Sequence, residues 1–205
     1  MADDRTRGRS IATVTSTTLL EGLRDPENRT IWLQFVDRYR PLILRYCERL
    51  GLRREDAEDT AQASLLAFCE AYREAKYQRT RGRLGDWLFG IVHNQARNHR
   101  RKRGRSREVS VTETQAQALL DRPAEDMERL WEEEWRDAVA RECLAQVRRE
   151  VQESTFTAFE LHAIEGVAVD EVARRLGLTP NAVYGAKRRV LRRIRELKPF
   201  MEDAW

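Results

Sequence analysis

Between Asn181 and Arg195 the side chains best suited to meet a polyanion recur at helical spacing: Asn181, Tyr184, Arg188, Arg192 and Arg195 stand at i, i+3, i+7, i+11 and i+14. Guanidinium groups bind phosphate oxygens, and amide or phenol groups reach base edges, so such a stripe has the chemistry of a DNA-reading surface. Val183, Val190 and Ile194 give the same helix an apolar edge on another side. Thr179 can cap its first turn, and Pro180 fits the first helical position, where a missing N–H is harmless. Gly185 inside the helix costs about 0.5–1 kcal/mol relative to Ala, which is tolerable where the backbone must approach another surface closely. The preceding AVDEVARRLGL carries Val169, Val172, Ala173 and Leu176 on one stripe and stops at Gly177. Only Leu178 and Thr179 then remain before Pro180, so the second helix must leave steeply, as in a helix-turn-helix. A further helix over roughly 154–165 ends at Gly166 and would pack across the pair. A solvated basic face is the bland alternative. Cap, turn and polar stripe together favour DNA binding.

A second basic region lies earlier. From Arg97 to Arg107 seven of eleven residues are Arg or Lys, a density that attracts phosphate and releases counterions without reading sequence. Before it, YQRTRGRLGDW (Tyr77 to Trp87) reads as a loop with Arg79, Arg81, Arg83 and Gly82 between aromatic ends. Basic residues interleaved with aromatics suit single-stranded nucleic acid, where stacking contributes roughly 1–3 kcal/mol per base. Trp87 reads as core, whereas Tyr77 fits either role. One helix upstream, Asp56, Glu58, Asp59 and Gln62 make a polar, mostly acidic face. Carboxylates stabilising a helix N-terminus would explain it, and so would a protein-docking face.

The elements that must position these groups are helical throughout, with no strand-like alternation of useful length. A helical turn at 18–23 is followed by an apolar-striped helix ending at Gly51, inside which Pro41 should kink or interrupt the chain. REDAEDTAQASLLAFCEAYREAKY follows, with Ala61, Leu65, Phe68, Cys69 and Tyr72 inward. GDWLFGIVHNQARNHRRKR then turns Trp87, Leu88, Ile91 and Val92 inward. Residues 104–126 are rich in Ser, Thr, Gln, Gly and Pro123, a linker signature. The expected organisation is therefore all-α: a flexible tail (1–16), a front domain (17–103), a flexible linker (104–126), a back helix-turn-helix domain (127–200) and a tail (201–205).

Composition excludes several classes. The net charge of +4 in 205 residues hides an acidic stretch, Glu125–Asp137, between two basic ones. That stretch reads as the start of the back domain, with Glu132-Glu133-Glu134 solvated. Cys47, Cys69 and Cys143 are too far apart for a disulfide framework or a zinc site and read as buried thiols. His93, His99 and His162 are scattered, and neither a phosphate-binding glycine loop nor a nucleophile elbow is present. No enzyme, metal or cofactor is expected. No apolar run approaches the roughly 20 residues of a membrane span, and the N-terminus lacks the apolar core of a signal peptide, which suits a cytoplasmic protein.

Taken in order, these segments resemble a known family. EDAEDTAQASLLAF resembles the helix by which bacterial sigma factors dock on the clamp helices of the largest subunits of RNA polymerase. GRLGDWLFGIVHNQARNHRRKR resembles the segment that follows it, and ELHAIEGVAVDEVARRLGLTPNAVYGAKRRVLRRIREL resembles the family's helix-turn-helix for the −35 element. Two such modules joined directly are similar to the extracytoplasmic-function (group 4) subfamily.

The resemblance implies roles by position. Asp56, Asp59 and Gln62 match core-polymerase docking positions. Residues Tyr77 to Leu84, with Arg79, Arg81 and Arg83, match the loop that captures a flipped −10 base. Asn94, Arg97, Asn98, Arg100 and Arg101 match the helix beside the −10 duplex and its backbone. Asn181, Tyr184, Lys187, Arg188 and Arg192 fall in the −35 recognition helix. The chain departs from the pattern at Ala63, Leu84, Ala182, Tyr184 and Ala186, and Tyr184-Gly185-Ala186 is where a promoter preference of its own would be written. The implied partners are core polymerase, promoter DNA and an anti-sigma factor. About 23 linker residues reach roughly 75–80 Å, enough for two duplex turns of about 70 Å. The alternatives are a stand-alone helix-turn-helix regulator acting as a dimer and a non-specific nucleic-acid-binding adaptor.

Overall fold

A computed structural model describes residues 19–78, 80, 82–103 and 123–204, with the backbone alone at 102, 103, 203 and 204. Among the described residues every regular element is helical. They form two compact units that divide between Ala138 and Val139.

The front unit is built on α1 (Arg29–Arg49), α2 (Arg54–Arg73) and α3 (Leu84–Arg103). Asn28 starts α1 by accepting the Ile31 N–H on its side-chain oxygen at 3.2 Å, satisfying one of the donors a helix N-terminus leaves open. The buried face of α1 holds Phe35, Tyr39, Leu42, Ile43, Tyr46 and Cys47. The stripe of α2 expected from its periodicity is the one buried: Ala61, Leu65, Phe68, Cys69 and Tyr72. Leu88, Val92 and Ala96 complete the core from α3. Pro41 does not interrupt α1, contrary to expectation: the helix runs through it. Proline forfeits one backbone bond there, and the buried Tyr39 and Leu42 on either side hold the turn together.

The fourth helix, α4 (Ala124–Glu150), begins before the position where the back domain was expected to start, and its first half belongs to the front unit. The reason is aromatic. Trp131 lies edge-on to Tyr46 at 5.3 Å and beside Phe89 at 5.9 Å, and Trp135 lies 6.2 Å from Tyr39. A Cβ added at Gly85 would stand 3.0 Å from the Trp135 ring, so glycine is what lets α3 and α4 come this close. The expectation that Glu132-Glu133-Glu134 is solvated fails for Glu134, which is 5% exposed. Its carboxylate takes hydrogen bonds from Arg45 and Arg49 at 3.1 Å each. Such pairing is what a buried carboxylate requires.

The back unit contains the second half of α4, α5 (Glu153–Phe159) with a π-helical turn at Glu160–Ile164, α6 (Val169–Leu176) and α7 (Pro180–Ala204). Gly177 ends α6 in the left-handed conformation at φ 64°. The Leu178 N–H returns to the Ala173 carbonyl at 2.9 Å. Thr179 caps α7 as its sequence suggests, its hydroxyl oxygen accepting the Ala182 N–H at 3.2 Å. Ala158, Val172, Ala173, Val183 and Ala186 form the core between α5, α6 and α7, ringed by Leu161, Val169, Leu176 and Leu178. Helix α7 continues past Leu197 through Pro199 to Ala204, so residues 201–204 are helix and not a tail; Met201 is buried.

Burying an aromatic ring and then deleting it leaves a cavity costing about 3–5 kcal/mol. Trp131→Ala is therefore expected to lower the front unit's midpoint in urea-induced unfolding. Trp131→Phe should cost less, because the buried Trp131 indole N–H has no hydrogen-bond partner among the described residues.

Candidate nucleic-acid and protein-docking faces

On α2, Asp59 and Gln62 are exposed one turn apart. Leu66, 54% exposed, extends the same face at i+4 from Gln62. Beside it lies a cleft of about 280 Å³ lined by Trp32, Val36, Arg40, Glu58, Gln62 and Leu65, with Arg40 and Glu58 ion-paired at its rim. Asp56 separates from this group. It is half-buried, with Oδ1 3.0 Å from His99 Nε2, which ties α2 to α3. Glu55 and Asp56 occupy the first turn of α2, where carboxylates favour the helix dipole. That effect fades within a turn, so Asp59 and Gln62 lie beyond it and need another explanation. Leu66 and Trp32 were missed in the sequence. The signal was Leu66 itself, a large apolar residue outside the inward stripe of its helix.

The arginine loop is shorter than its sequence suggested, because α3 begins at Leu84. Arg79 and Arg81 lie outside the described residues. Tyr77 is half-buried and stacks on Trp87 at 5.0 Å, and Trp87 in turn lies 4.8 Å from Phe68. Arg83 donates through Nη2 to Asp86 at 2.9 Å and to Glu132 at 2.6 Å. Along α3, Asn94, Arg97 and Arg101 share one exposed stripe at i, i+3 and i+7. The amide oxygen of Asn98, which is half-buried, accepts from the Arg101 guanidinium. Arg100 departs from the stripe and donates to the Leu50 carbonyl at 3.3 Å, at the end of α1. The C-terminal arginines of α3 also sit where cations favour the helix dipole.

On α7, Asn181, Tyr184, Arg188 and Arg192 are exposed together, with Lys187 half-buried beside them. Tyr184 is 56% exposed and meets the His162 ring edge-on at 5.7 Å. His162 is itself held through Nδ1 to the Val167 carbonyl at 3.1 Å. Ala186 does not belong with Tyr184: at 4% exposure it is core, so the Tyr184-Gly185-Ala186 triplet is split between surface and interior. Gly185 is unlike the other glycine of this region. A Cβ there would meet nothing within 4 Å, whereas Gly177 has a backbone conformation that side chains rarely adopt.

Titratable groups argue against nucleophilic chemistry at the cysteines. Burial pushes the Cys47 thiol up to about 12 and those of Cys69 and Cys143 up to about 11. No cluster of His, Cys, Asp and Glu able to hold a metal occurs among the described residues. Nor is any helix among them long and apolar enough to cross a membrane. Burial, reinforced by the charge of Arg97, lowers the pKa of His93, whose Nδ1 lies 3.2 Å from the Tyr46 hydroxyl.

Gly185→Ala should stabilise the back unit by about 0.5–1 kcal/mol and so raise its thermal midpoint. Gly177→Ala should lower it, since a left-handed residue with a side chain costs roughly 1–2 kcal/mol. For His93 the neutral form is favoured by folding, so its contribution is fully present above the unfolded pKa near 6.5 and is lost as pH falls through the lower folded value. Unfolding measured from pH 7 downwards should show a loss of stability that His93→Gln reduces.

The sequence from 35 to 106 matches the family model described as sigma-70 region 2, which spans most of α1, all of α2, the arginine loop and α3. No curated protein gives a significant match to the chain. The chain is similar to the sigma-70 family over residues 35–106, the segment that carries the exposed acidic face on α2 and the basic one on α3.

Proposed function

We propose that the chain is a promoter-specificity subunit of bacterial RNA polymerase, of the extracytoplasmic-function type, working with core polymerase in the cytoplasm. The observation that carries this reading is the region 2 match, which covers both the α2 face and the α3 stripe. Asp59, Gln62 and Leu66, with the neighbouring cleft, offer a mixed acidic and apolar surface for the clamp helices of the polymerase. Asp56 supports that face from behind through His99. The loop from Tyr77 to Arg83 contacts −10 bases as strands separate, with the Tyr77–Trp87 stack as a platform for one of them. Asn94, Arg97 and Arg101 lie along the adjacent phosphates.

The back unit reads the −35 element. The sharp turn at Gly177, the Thr179 cap and the exposed Asn181, Tyr184, Arg188 and Arg192 support α7 as its recognition helix. Tyr184 and Asn181, on the first turns, are suited to base edges, and the arginines further along to phosphates. The protein performs no bond chemistry in this scheme, because the polymerase supplies it. Two modest grips on one chain share the binding, so neither has to be tight alone.

Purified core polymerase, this protein and promoter fragments test the scheme together. Core-dependent transcription from a subset of fragments is expected. Binding to palindromic DNA as a dimer without core would instead favour a stand-alone regulator, and binding without sequence preference would favour an adaptor. Asp59 is exposed, so Asp59→Arg should leave helicity unchanged. Placing a like charge against a basic partner costs several kcal/mol, and roughly a hundredfold loss of core affinity is expected.

A further inference from the structure

The acidic run at the start of α4 has no role in the function proposed above, yet each of its three carboxylates holds an arginine of the front unit. Glu134 binds Arg45 and Arg49. Glu133 binds Arg49 at 2.8 Å, and Glu132 binds Arg83 at 2.6 Å. Arg83 closes the arginine loop. Trp131 and Trp135 flank the run and are buried against Tyr46, Phe89 and Tyr39, and Gly85, two residues past Arg83, makes room for the Trp135 ring. The acidic segment is thus seated by shape, and its charges are aimed by that seat.

We infer that the first half of α4 is an intramolecular cover for Arg83, with Glu132 occupying the position that a DNA phosphate would take. The inference rests on the reading of the arginine loop as a single-strand contact. Asp86 spans the Nε and Nη2 groups of Arg83, and Glu132 accepts at Nη2 as well; a carboxylate and a phosphate cannot both accept from the N–H that Glu132 holds. The anchored tryptophans hold the competitor at high effective concentration. By linkage, single-stranded DNA that takes Arg83 weakens the seat of α4 as much as α4 weakens the DNA. The protein is therefore restrained from binding single strands indiscriminately, and the restraint lies in a segment outside the region 2 match.

The test is the affinity of the full chain for a fluorescently labelled single-stranded oligonucleotide, measured by anisotropy for the wild type and for Glu132→Gln, Glu128→Gln, Arg83→Ala and the double variant Glu132→Gln/Arg83→Ala. Glu128 is exposed on the same helix and controls for the loss of one negative charge. Glu132→Gln is expected to tighten binding by about 1.4- to 5-fold, the range an exposed ion pair commands. Glu128→Gln should change little, Arg83→Ala should weaken binding, and the gain from Glu132→Gln should vanish once Arg83 is gone. Arg83→Ala weakening binding while Glu132→Gln does nothing, matches Glu128→Gln or persists without Arg83 would overturn the cover and leave the loop's role intact. Arg83→Ala without effect, or no measurable binding by either the wild type or Glu132→Gln, would overturn the cover together with the reading of the loop on which it rests.

Discussion

A line of aromatic rings is what the front unit depends on. It runs from Tyr77 to Trp87, Phe68, Phe35, Tyr39, Trp135, Trp131 and Tyr46, and ends at Phe89. Buried leucines such as Leu42, Leu65 and Leu88 fill the same core, and each aromatic side chain adds about 150–250 Å² of buried surface. The rings join α1, α2, α3 and the first half of α4, and the same packed array supports both the loop at Tyr77 and the acidic helix at Trp131 and Trp135.

That array also explains where sequence reading succeeded and where it stopped. Helix stripes were legible, because positions such as Leu65, Phe68 and Tyr72 repeat at the period of a helix and were buried as read. The turn around Gly177 and the cap at Thr179 were legible too, since left-handed backbone and a first-turn donor each call for particular residue types. The placement of α4 was not. Trp131 and Trp135 stand at i and i+4, a usable apolar edge, but the three glutamates between them read as solvent-facing. Only the three-dimensional array reveals Arg45, Arg49 and Arg83 waiting opposite them. Asp56 and Arg100 show the same limit, for a charged side chain's partner is a matter of tertiary neighbours. Pro41 failed in the other direction: the local rule against proline gave way to packing on both sides. Ala186 was misjudged because a resemblance by position says nothing about which way a small residue faces.

The charge distribution follows from these pairings. A net charge of +4 suggests a mildly basic protein, but many arginines of the front unit are already neutralised within it. Among the described residues, exposed arginines line the last turns of α3, at Arg97 and Arg101, and α7, at Arg188 and Arg192. Positive stripes of this kind steer a polyanion towards themselves. Such steering is also strongly sensitive to salt, since the screening length at physiological ionic strength is about 8 Å.

The three cysteines have a consequence for oxidative conditions. All are buried and reduced, and all are held as neutral thiols, whereas oxidants and disulfides react with the thiolate. Peroxide outside the folded chain meets none of the three thiols at the surface. Sulfur chemistry becomes accessible only in molecules that have opened, so the rate of damage would follow the opening equilibrium of each unit more closely than the concentration of oxidant.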